Sequence, residues 1–78
     1  MKPQDAILDL LKERGPGRTI CPSEAARRLD PENWRGLMDA VREAGSELAA
    51  SGAIEICQGG SPVDPADARG PVRYRMKG

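Results

Sequence analysis

The sequence predicts an α+β fold, three helices with a small antiparallel sheet and a C-terminal β-hairpin, built as one domain over residues 1–78. Three observations carry this. Asp30 to Gly52 places Trp34, Leu37, Met38, Val41, Ala44, Leu48 and Ala49 at spacings of three and four, which is one stripe of a helix. Beyond Gly52 the period becomes two: Ile54 and Ile56 alternate with Glu55 and Cys57, and Val72, Tyr74 and Met76 alternate with Arg73, Arg75 and Lys77. Ahead of both, the turn Gly15-Pro16-Gly17 separates two shorter helical stretches.

Taken in order, Pro3 to Arg14 reads as the first helix, with proline inside its start, Ile7, Leu10 and Leu11 on one face, and Gly15-Pro16 beyond its end. Leu8 falls off that face and is expected as an exposed leucine. Arg18 to Cys21 is short and β-branched enough for a single strand rung. Pro22 to Leu29 is the second helix, its inward set Pro22, Ala25, Ala26 and Leu29, where the two alanines let another helix approach closely. Asp30 then ends that helix and is expected to cap the third, with Pro31 at its first position and Glu32 near the positive end of the dipole. Gly52 suits the left-handed residue just past a helix end. The two alternating stretches are expected to pair as a hairpin, with Gly59 to Gly70, rich in turn formers, as an exposed loop at its tip.

That order, with helices two and three joined by a tight turn and a terminal hairpin completed by the rung at Thr19 and Ile20, is the winged helix-turn-helix arrangement. The segments I-C-P-S-E-A-A-R-R at Ile20 to Arg28, W-R-G-L-M-D-A-V-R at Trp34 to Arg42 and G-P-V-R at Gly70 to Arg73 resemble a small bacterial winged-helix family classed as a domain of unknown function. The resemblance covers nearly the whole chain. It implies the fold and carries no activity, substrate or catalytic residue with it.

The charge pattern frames the function. Twelve basic residues balance 12 acidic ones, which with a modest apolar content argues for a small folded chain and against disorder. The balance is uneven along the sequence: six basic and four acidic groups in residues 1–29, two and eight in residues 30–67, four and none in residues 68–78. Arg69, Arg73, Arg75 and Lys77 therefore make the last strand and its loop the first candidates for phosphate contacts, with Arg18, Arg27 and Arg28 as neighbours. Against this, Arg73 and Arg75 are placed to pair across the hairpin with Glu55. Asn33 and Arg35, at the start of helix three, are candidates for base and phosphate contact, although Asn33 also fits a capping role. The exposed side of helix three carries Glu32, Asp39, Glu43 and Glu47, an acidic ridge that opposes approach to DNA. Arg35 and Arg42 are spaced to pair with Asp39.

Two functions from different classes follow. One is a module that binds duplex DNA through the wing arginines and the start of helix three; the other is a protein-interaction module that presents the acidic ridge to a basic partner or forms a homodimer. Catalysis is not expected, since without histidine there is no Ser-His or Cys-His pair and no imidazole metal ligand. No cofactor or metal is expected either, because Cys21 and Cys57 are not spaced as ligands. Cys21, just before Pro22, lies where a helix N-terminus could activate a thiol, but a small, buried, inert thiol is the expectation for both cysteines. Trp34 is expected as the largest core residue, with a role as a stacking anchor the alternative. No apolar run is long enough for a membrane span and no signal peptide is recognisable, which predicts a cytoplasmic protein.

Overall fold

The computed structural model describes residues 1–64, 67–68 and 70–77. Helix α1 (Pro3–Arg14) is followed by strand β1 (Thr19–Ile20), helix α2 (Pro22–Leu29), a 3₁₀ turn (Trp34–Leu37), helix α3 (Met38–Ala50) and strands β2 (Ile54–Gln58), β3 (Ser61–Val63) and β4 (Arg73–Met76). The fold is α+β, three helices against one antiparallel sheet of order β1-β4-β2-β3. β4 is central: Tyr74 lies opposite Ile20 on one side and Ile56 on the other.

The core follows from the two periods. Ile7 and Leu11 of α1, Ala25 and Ala26 of α2, Val41 and Ala44 of α3, and Ile20, Ile54, Ile56 and Tyr74 of the sheet form one buried cluster. Ala25 and Ala26 are fully buried, which is the close helix approach their size allows. Leu8, expected outside, is half-buried and packs on the cluster. Val41 is fully buried on the helix-three stripe, and Leu37, Met38, Leu48 and Ala49, partly buried, pack against the cluster.

Two boundaries differ from the sequence expectation. The third helix does not begin at Asp30: residues 31–33 form a turn, Trp34 to Leu37 a 3₁₀ segment, and the α-helix starts at Met38. Asp30 does cap, but it caps this turn, its Oδ1 accepting from the Glu32 and Asn33 amides at 3.1 Å each. One tight turn has the same apolar spacing whether it is 3₁₀ or α, and Gly36 within it lowers the α preference. The C-terminus closes as expected: Gly52 has φ +85°, its amide bonds to Ala49 O at 3.1 Å, and the Ala53 amide bonds to Leu48 O at 3.0 Å.

The second difference lies in the expected loop Gly59 to Gly70. Gly59 and Gly60, with φ +58° and +82°, make a two-residue hairpin turn of the kind that suits antiparallel strands, and Ser61 to Val63 returns as β3 against β2. Pro62 fits there because β3 is the edge strand, where a missing amide breaks no ladder. No helix among the described residues is long and apolar enough to cross a membrane.

Candidate nucleic-acid interface

The arginines sort into two groups by what they touch. Arg14 bonds Glu24 at 2.7 Å, Arg28 holds Glu13 with both of its terminal nitrogens, and Arg75 bonds Glu55 at 3.0 Å. These cations are spent within the molecule. Arg75 faces Glu55 directly across the β2–β4 ladder, so the expected hairpin pair forms, but with Arg75 alone.

Arg73 points elsewhere. It lies opposite Cys57 in the ladder, and its guanidinium donates to Thr19 Oγ1 at 2.6 Å and to Cys21 Sγ at 2.7 Å. Among the described residues no carboxylate forms an ion pair with it, although its charge is felt by Glu24. Cys21 is thereby half-exposed at the start of α2 and not the buried thiol expected, whereas Cys57 is buried as expected. Glu24 closes the same corner: its Oε2 accepts the Cys21 amide at 2.7 Å. Burial pushes the Glu24 carboxyl up, but the Arg14 bond, the Cys21 amide and the charges of Arg14 and Arg73 together outweigh it and hold it below its ordinary value.

Arg27 and Arg35 meet on one aromatic ring. Their guanidinium carbons lie 4.4 and 4.5 Å from the centre of Trp34. Trp34 is half-buried against the core and not enclosed within it as the largest core residue expected; its ring serves as a platform for two charges that form no ion pair among the described residues. The expected Arg35–Asp39 and Arg42–Asp39 pairs are absent among the described residues: the 3₁₀ start alters the register between positions 35 and 39, and Arg42 lies with Met38 and Ser46 along one flank of α3.

That flank borders a cleft of about 650 Å³ between the start of α2, α3, the sheet and described residues that precede β4, Ala68 and Gly70 to Val72. Met38, Arg42 and Ser46, one turn apart on α3, line it together with Ser23, Ile56 and Tyr74. The sequence shows this spacing of four, yet a stripe bordering the core is not marked as functional by periodicity alone. Burial pushes the Tyr74 hydroxyl up to about 12, although the Arg42 charge draws it down.

Other candidates are dispersed. Lys77 is exposed beside a second hollow of about 420 Å³, with Lys12 and Gly15 to Gly17, remote in sequence and in lining from the Arg42 cleft. Asn33 is exposed, and its side-chain amide makes no hydrogen bond among the described residues; Asp30, not Asn33, does the capping. Arg69 lies outside the described residues. Of the acidic ridge, Asp39, Glu43 and Glu47 are exposed on α3, while Glu32 belongs to the preceding turn. Glu47 accepts from Gln4 of α1 at 3.0 Å, so the ridge inclines toward α1. At 100° per residue it stands about 100° around α3 from the Met38–Arg42–Ser46 stripe.

Among the described residues no three His, Cys, Asp or Glu side chains gather as metal ligands do. A search of the curated proteins finds no match for the chain. A family model does match, over residues 2–77, and the chain belongs to the family it describes, Protein of unknown function (DUF3253).

Proposed function

We propose that the protein is a winged-helix module that binds duplex DNA without catalysing a reaction, with α3 as the helix laid toward the major groove. The observation that carries this reading is a group of arginines that form no ion pair among the described residues: Arg27 and Arg35 on Trp34, Arg42 on the cleft and Arg73 at the start of α2. Duplex DNA is a dense line of negative charge, and cations already neutralised inside the protein add little to its binding. None of these four forms an ion pair among the described residues. They border α2, α3 and β4, the elements that a winged helix turns toward its duplex. The acidic ridge lies to one side of them, so it limits affinity and favours binding in one orientation.

The reading predicts micromolar, salt-dependent binding of a mixed-sequence duplex by fluorescence anisotropy. Arg35→Gln or Arg42→Gln should weaken binding and reduce the slope of log affinity against log salt by about one each. Changing Glu32, Glu43 and Glu47 to Gln and Asp39 to Asn should strengthen it. A second reading is favoured by Asp39 and Glu43, exposed on α3 with no ion pair among the described residues: a protein surface for a basic partner or a second copy. Under that reading the neutralised ridge leaves duplex binding absent and abolishes association with the partner.

A further inference from the structure

Tyr74 combines two features that folding does not require. Its side chain is almost fully enclosed, 1% exposed, and its hydroxyl makes no hydrogen bond among the described residues. No wholly enclosed side-chain nitrogen or oxygen is left unpaired there, so the small accessible area of Tyr74 lies at the oxygen, facing the cleft it lines. Phenylalanine would fill the same space without burying a polar group. Opposite, Gly45 sits inside α3, where glycine is unfavourable, and a Cβ there would lie 2.4 Å from both the Tyr74 Cζ and the hydroxyl oxygen. A helical glycine and a buried tyrosine thus hold one unpaired hydroxyl at the floor of the cleft.

The surroundings of that hydroxyl specify a ligand. Arg42 acts on it electrostatically and has no carboxylate partner among the described residues. Ser46 follows one turn later on α3, and Ser23 faces them from the first turn of α2, the positive end of that helix. The other described lining residues carry no charge, and Pro22, Met38, Ile56 and Val72 among them are apolar. Arg42, neutral hydroxyl donors and, among the described lining residues, otherwise uncharged walls suit a carboxylate on a flat apolar body, which gains from those walls what an inorganic phosphate cannot. The volume, about 650 Å³, is in the range of small-molecule sites.

We infer that the cleft binds a small carboxylic acid with a flat apolar body, its carboxylate on Arg42 and the Tyr74 hydroxyl and its body between Met38, Ile56 and Val72. This site does not depend on duplex binding, and its test contains no DNA. The full chain, labelled with nitrogen-15, is titrated with benzoate, and in parallel with benzamide and with inorganic phosphate. Benzoate should give saturable amide shifts at Ser23, Arg42, Ser46 and Tyr74 with a dissociation constant of about 1 mM, at least tenfold tighter than benzamide or phosphate, roughly the worth of one charge-assisted hydrogen bond. Tyr74→Phe, which keeps the packing, and Arg42→Gln, at an exposed position, should each weaken benzoate about tenfold on the same grounds. The inference is overturned by unsaturable or scattered shifts, by equal binding of phosphate, or by both variants binding benzoate as the native chain does.

Discussion

At the residue scale the molecule turns on the contact between Gly45 and Tyr74. Glycine in a helix is normally a weakness, and replacing it with alanine normally stabilises by about 1 kcal/mol. Here the new methyl would meet the enclosed Tyr74 ring at 2.4 Å. Gly45→Ala should therefore destabilise by about 1–3 kcal/mol, the range for overpacked cores, as read by urea unfolding. A gain in stability would show that the ring moves aside freely. Tyr74 also sets a limit at high pH. Its hydroxyl ionises at about 12 when folded against 10.0 ordinarily, so the folded state retains the proton longer than the unfolded chain. The stabilisation is complete below pH 10 and is lost as pH rises toward 12; it amounts to on the order of 2 kcal/mol. Tyr74→Phe should lose this extra alkaline sensitivity, as thermal unfolding at pH 9 and about pH 11 would show. The alternation of Val72, Tyr74 and Met76 marks Tyr74 as inward-facing. What its hydroxyl meets depends on how closely α3 approaches, which no local pattern encodes.

At the scale of elements, spacing in the sequence identifies the helices and the paired strands, while boundaries depend on single turns. Asp30 is legible as a cap because a carboxylate before proline and glutamate suits an exposed chain turn. Whether it caps a helix or a turn depends on the hydrogen bonds that follow, where the Gly36 amide bonds to Asn33 O, three residues back, at 3.1 Å. Removing both of its bonds with Asp30→Ala should cost about 1 kcal/mol and loosen the α2–α3 connection, which amide exchange at Glu32 and Asn33 would report. Unchanged exchange there would show that Pro31 alone holds the turn. β3 is illegible for a different reason: three residues, one of them proline, carry too short an alternation to signal a strand, and its evidence is the Gly59-Gly60 turn, whose meaning comes from the β2 register behind it. The same distance between pattern and geometry separates Arg73 from Arg75. Both alternate outward, but only the residue directly opposite Glu55 can pair with it, and that is Arg75.

At the scale of the whole molecule, formal neutrality hides an ordered separation of charge. The sequence shows the basic C-terminus and acidic middle, yet it places the usable cations on the wing, where Arg75 is paired and Arg73 alone, held against Thr19 and Cys21, forms no ion pair among the described residues. Folding instead gathers unpaired arginines along α2 and α3, two of them on the Trp34 ring. Residues 27 and 35 are brought together only because α2 and the 3₁₀ turn pack on each other, so composition alone could not have joined them. The measurement that tests duplex binding most directly is an amide NMR titration of the protein with a mixed-sequence duplex, at low and then physiological salt. Shifts at Ser23, Arg27, Arg35 and Arg42 and at the Trp34 indole, with affinity falling steeply as salt rises, are the predicted result. The contradicting result is an unchanged spectrum at low salt, which would leave the unpaired arginines without the phosphate role assigned to them.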